Sequence, residues 1–144
     1  MATLQEIPGF NLSLIAATDL SAKQHYLVKI DTNGKAALAA AGEAAAGVLQ
    51  DKPASGAVGT VQTSGVSRCV AGEAIAKGAL VASNASGKAK PAVLGKTDTS
   101  DVGAAADPLI GSHVIGIALT AAGAEDEEFS LLIQPRGAVP TTAA

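Results

Sequence analysis

Tyr26 to Lys35 reads YLVKIDTNGK, and a degenerate copy, ALVASNASGK, returns at Ala79 to Lys88. Laid on one another, the copies share Leu27 with Leu80, Val28 with Val81, Gly34 with Gly87 and Lys35 with Lys88. Each opens on an apolar pair and closes on a polar turn ending in Gly-Lys. In the first copy Leu27-Val28-Lys29-Ile30 is β-prone, and Asn33-Gly34 is a strong hairpin signal because both residues tolerate positive φ. The echo continues downstream: Ala46-Gly47-Val48-Leu49 is answered by Ile115-Gly116-Ile117-Ala118, and Thr60-Val61-Gln62-Thr63 by Ser130-Leu131-Leu132-Ile133. Two β units in tandem are the organising expectation, spanning about residues 19–70 and 71–137.

Working outward, the composition bounds what such a duplication can be. A chain of 144 residues fits one domain. Although 48% of the residues are hydrophobic, much of that share is Ala, and the only aromatic residues are Phe10, Tyr26 and Phe129. Ala buries little area compared with Val, Leu or Ile, each of which contributes about 1.5–3 kcal/mol when fully buried. The core is therefore thin for the length, which favours support from copies of the chain or from a larger surface. The net charge of −3 offers no basic patch for phosphate contacts, so nucleic acid is not an expected partner. A single cysteine, Cys69, excludes a disulfide within the chain. No stretch reaches the ~20 apolar residues of a membrane span, and Met1 to Glu6 lacks the positive charge of a secretory signal. Synthesis and folding in a reducing cytoplasm are the expectation.

Taken in order, residues 1–9 (MATLQEIPG) read as an extended arm, and residues 10–137 as a single β domain. Phe10-Asn11-Leu12-Ser13-Leu14 alternates with a period of two, which places Phe10, Leu12 and Leu14 on one inward face. Lys35 to Gly47 (KAALAAAGEAAAG) sets two rules against each other. Summed propensity favours helix, whereas the bracketing glycines, the central Gly42 and the echo at Lys88-Ala89-Lys90-Pro91 favour strand, loop, strand, with room for one helical turn near Glu43. Val58 to Thr63 and Val66 to Val70 read as strands about a bend at Gly65. Residues 93–110 have the composition of an insertion loop, Val114 to Leu119 and Phe129 to Ile133 are strands, and residues 138–144 form a flexible tail. The fold class is mainly β, a small β-barrel or β-tulip-like domain built from two degenerate units.

The chemistry-bearing residues do not form a recognisable site. His25 and His113 lie far apart, and a metal or triad role requires Cys69 or Asp101 to converge on them without the close ligand spacing of structural metal sites. Arg68 next to Cys69 is a feature of reactive thiols, yet a small apolar residue alternating with Arg68 on a strand accounts for it. Glu125 to Glu128 and the acids Asp98, Asp101 and Asp107 lack the spacing of a calcium loop. Lys96-Thr97 follows only Gly95 and makes no phosphate loop. No catalytic, cofactor-binding or metal-binding residue is assigned, and no enzyme activity or cofactor is expected.

Asp19 to Lys35, Gly47-Val48-Leu49 followed by Gly59 to Gly65, and Gly116-Ile117-Ala118 before Phe129 to Ile133 together resemble the capsid decoration, or cement, proteins of tailed bacteriophages. The resemblance implies a β-tulip-like domain on the outer surface of the virion, commonly a homotrimer, that bridges major capsid protein subunits and stabilises the head. It carries over no functional residue. The arm is expected to add a strand to an exposed sheet edge of the shell, with Leu4 and Ile7 filling pockets. Two other readings stay open: a soluble β-barrel binding a ligand or glycan, which the scarcity of aromatic rings disfavours, and a small enzyme or metalloprotein built on His113, Cys69 and the loop acids.

Overall fold

A computed structural model describes residues 4–93 and 112–137. Within them run ten strands: β1 (Asn11–Ile15), β2 (Leu27–Ile30), β3 (Ala36–Leu38), β4 (Gly47–Leu49), β5 (Val58–Gln62), β6 (Gly65–Val70), β7 (Leu80–Ser83), β8 (Ala89–Pro91), β9 (Gly116–Ala118) and β10 (Glu128–Ile133). They form two five-stranded sheets, ordered β1-β5-β4-β2-β3 and β6-β10-β9-β7-β8, and every pairing between named strands is antiparallel. The fold is thus mainly β, as the sequence implies. The expected barrel is corrected to two open sheets, since β1 and β3 end the first and β6 and β8 end the second.

The two orders are the same order, and the register repeats residue by residue. Leu27 faces Val48 as Leu80 faces Ile117; Val48 faces Gln62 as Ile117 faces Leu132. The hairpin turns match as well. Asp31 Oδ1 accepts from the N–H groups of Asn33 (2.9 Å) and Lys35 (2.8 Å), and Asn84 Oδ1 accepts from those of Ser86 (2.8 Å) and Lys88 (3.0 Å). This is the side-chain turn that Asp and Asn form readily. Gly34 and Gly87 follow at φ 75° and 79°. The repeat also includes strands whose sequences do not resemble each other, because β1 pairs with β5 as β6 pairs with β10, setting Leu12 equivalent to Ser67 and Leu14 to Cys69. Just before β2, His25 sits at φ 67° where its counterpart before β7 is Gly78 at φ 84°.

Each sheet has an inner face on which residues of its own unit pack. In the first sheet Val28, Leu49 and Val61 pack with Ala16, Leu20 and Ala36. The equivalents in the second sheet are Val81, Ala118 and Leu131, with Ala71, Ile75 and Ala89. The other, outer face of the first sheet carries Leu27 and Val48, and these two belong to the second sheet's cluster together with Cys69, Phe129 and Leu131. The sheets therefore stack in sequence, the outer face of the first against the inner face of the second. Bonds across the junction include Leu27 N–H to the Gly87 carbonyl (2.7 Å), Val70 N–H to the His25 carbonyl (3.1 Å) and Ser83 hydroxyl to the Ala39 carbonyl (3.1 Å).

Local expectations fare unevenly. Over Lys35 to Gly47 the strand reading prevails, with β3, a turn at Gly42 (φ 69°) and β4, and no helical turn near Glu43. Glu43 instead accepts from the Ala40 N–H and pairs with Lys29 at 2.7 Å. The inward face expected for Phe10, Leu12 and Leu14 holds only for Leu14. Phe10 is 80% exposed because β5 pairs with β1 no further than Asn11, and Leu12 is 41% exposed because β1 is the end strand of its sheet. Most of the insertion expected at 93–110, and the tail at 138–144, lie outside the described residues.

Candidate interaction surface

Residues of the arm are seated on the chain's own second sheet. Ile7 exchanges both backbone hydrogen bonds with Val66 on β6, at 2.8 and 3.0 Å, so the arm occupies an edge that would otherwise show unpaired N–H and C=O groups. Behind it, Gln5 is held at both backbone groups by the buried Ser130 hydroxyl, at 2.6 and 3.0 Å. Gln62, at the end of β5 and 6% exposed, aims its amide at the carbonyls of Ser64 (2.8 Å), Ile7 (3.1 Å) and Val66 (3.3 Å). A polar side chain this buried stays because backbone acceptors surround it. Gln62 thus ties the arm, the link between the sheets and β6 together. Beside it an open groove of about 470 Å³ is lined by Glu6, Ile7, Gln50, Thr60 and Val66.

A line of charges runs along this side. Glu6 lies 3.4 Å from Arg68 Nε, Arg68 lies 3.5 Å from Glu128, and Glu128 lies 3.2 Å from His25 Nδ1. All are at least partly exposed, so screening keeps such contacts weak. The acidic run is consumed in the same manner. Glu125 and Asp126 hold the Lys88 ammonium at 2.8 and 2.7 Å, raising its pKa, first through Asp126 and then through Glu125. Glu127 accepts from the Gly123 N–H at 2.6 Å.

The residues considered for chemistry are not brought together. Cys69 is fully buried on the inner face of the second sheet, and burial pushes its thiol well above the usual range, which removes the thiolate a nucleophile requires. His25 faces Glu128, whereas His113 Nδ1 lies 3.0 Å from the Gly42 carbonyl. Among the described residues no three His, Cys, Asp or Glu side chains gather as metal ligands, and no helix is long and apolar enough to cross a membrane. Asp98, Asp101, Asp107, Lys96 and Thr97 lie outside the described residues.

What this surface does offer is apolar area. It lies on both sides of β1: Phe10 and Leu12 are exposed on one, and on the other Ile15 is 44% exposed and Val58, directly opposite it, 64%. Sequence reasoning missed the clamp made by Gln62; its one signal is a large polar residue closing a strand of glycine and β-branched residues. A family model described as phage cement protein matches residues 8–133 of this sheet pair. The chain belongs to the phage cement proteins. Membership gives this cement-family chain a structural, capsid-associated place in a phage virion. Curated proteins provide no match to it.

Proposed function

We propose that the protein is a decoration protein that binds the outer surface of an assembled phage head as a homotrimer, bridges neighbouring major capsid protein subunits and so stabilises the shell. The match of the cement family over residues 8–133 carries this reading. The thin core and the exposed side chains of Ile7 and Phe10 support it. A protein that binds the closed shell and not its loose subunits shifts the equilibrium toward the shell by mass action, and several attachment points per trimer multiply the effect.

The test is to mix purified protein with undecorated heads, pellet them, and measure both occupancy and the temperature at which the shells open. Saturable binding with a higher opening temperature is expected; heads that stay bare, or bind without any gain in stability, refute the reading. Removing residues 1–9 addresses the arm, and unchanged occupancy would assign attachment to another surface.

A further inference from the structure

The stacking of the two sheets leaves one face of each without its counterpart. Across the outer face of the first sheet, Leu27, Val48 and Gln62 form a straight row, and all three are buried. The equivalent row on the second sheet is Leu80, Ile117 and Leu132, apolar throughout and only half-buried. The receiving side shows the converse. Ser67 and Cys69, on the inner face that takes the first sheet, are fully buried, while their equivalents Leu12 and Leu14 remain 41% exposed and half-buried.

One pair of contacts says what covers these faces. Inside the chain, Gln50 reaches across the junction and donates to the Ser67 hydroxyl at 2.9 Å. Gln50 N–H bonds the Thr60 carbonyl as Leu119 N–H bonds that of Ser130, both at 2.8 Å, so Leu119 is the counterpart of Gln50 just as Leu12 is the counterpart of Ser67. Both members of a polar pair inside the chain are thus replaced, on the two uncovered faces, by leucines. A matched change of this kind is what a junction of the same geometry would show if it joined two chains.

We propose that the Leu80, Ile117 and Leu132 row of one chain packs on the Leu12 and Leu14 face of a second copy, with Leu119 against Leu12, repeating between chains the junction already present within each. The contact joins two different surfaces and is therefore heterologous, closing into a ring where the rotation allows. Three copies would make a ring of six stacked sheets; that number rests on the homotrimer proposed above, whereas the contact itself does not.

Light scattering on purified protein reads the contact without any capsid. Wild type should have a mass that is a multiple of 14.0 kDa, and L12D and I117D should each fall to a single chain. L119D repeats the second arm at a neighbouring position, and I15D, on the far side of β1, should keep the wild-type mass. Circular dichroism and the urea midpoint establish that each variant is folded. The deciding step is to mix L12D with I117D, since each retains the face the other has lost: a heterologous contact yields a one-to-one dimer of twice the chain mass. A mixture that stays at single-chain mass overturns the proposal, as does a wild-type monomer, a wild-type mass for L12D, I117D or L119D, or a folded I15D that falls to a single chain. A monomeric wild type that still occupies heads would overturn this contact alone and leave the capsid role standing.

Discussion

Replacing Gly116 by Ala tests the repeat at its tightest point. A Cβ built on Gly116 falls on the Leu132 carbonyl oxygen and comes within 2.9 Å of that carbonyl carbon and 3.1 Å of the Gln134 nitrogen. Gly47, its counterpart, meets the Gln62 carbonyl in the same way, with the carbon again at 2.9 Å. Both obstacles are backbone, which cannot rotate aside. Ordinary carbon contacts lie at about 3.5–4.0 Å, so β9 would have to retreat from β10 by about 1 Å. A ladder bond stretched that far exceeds hydrogen-bond range. Losing two such bonds at about 0.5–1.5 kcal/mol each, together with about 1–3 kcal/mol of overpacking strain, gives a loss of about 2–6 kcal/mol. That is a large part of the ~5–15 kcal/mol of a typical domain. At a urea slope of about 1–3 kcal/mol/M, the midpoint should fall by at least about 0.7 M. Gly78→Ala is the comparison, because nothing lies within 4 Å of its Cβ and only the φ of 84° opposes the change, which costs about 1–2 kcal/mol. If G116A is no worse than G78A, the close-approach reasoning is wrong.

Three further outcomes are expected. Gln62→Ala should loosen the arm, at a cost of about 1–3 kcal/mol for the Ser64 carbonyl left without its donor while Ile7 and Val66 keep each other's N–H groups, seen as faster amide exchange at Ile7 and Val66 than in wild type; unchanged exchange refutes the clamp. The raised pKa of Lys88 means that its contribution is fully present below the ordinary lysine value of 10.5 and is lost as pH climbs through the higher folded value, so stability should decline on the alkaline side, and Lys88→Met should flatten that decline. Cys69 should resist iodoacetamide in the native protein and react once urea unfolds it; labelling of the folded chain would contradict its burial.

How much of this was legible in the sequence follows from what each signal depends on. Leu27 to Lys35 and Leu80 to Lys88 could be aligned because a hairpin turn constrains its own residues, Asp31 or Asn84 to cap it and Gly34 or Gly87 to reverse it. Gly47 and Gly116 stood out for a comparable reason, as positions without room for a side chain. The kinship of β1 and β6 was not legible. Ser67 is sealed by the first sheet and Leu12 is not, so the same position in the fold meets two environments and holds two unlike residues. Alternation gave Phe10, Leu12 and Leu14 a common direction but not the lateral extent of the sheet that would cover them. In Lys35 to Gly47 helix propensity lost to pairing with β2 and β5. The arm's seat and the Gln62 clamp join residues more than fifty positions apart, beyond what local pattern can reveal.

Only Thr63 and Ser64 separate β5 from β6. At about 3.3–3.6 Å per residue, such a tether spans little more than the gap it bridges, and Gly9 lies tight against Ser64 to hold it in place. With so short a link the two sheets are neighbours from the moment either forms, so the junction between them closes at high effective concentration.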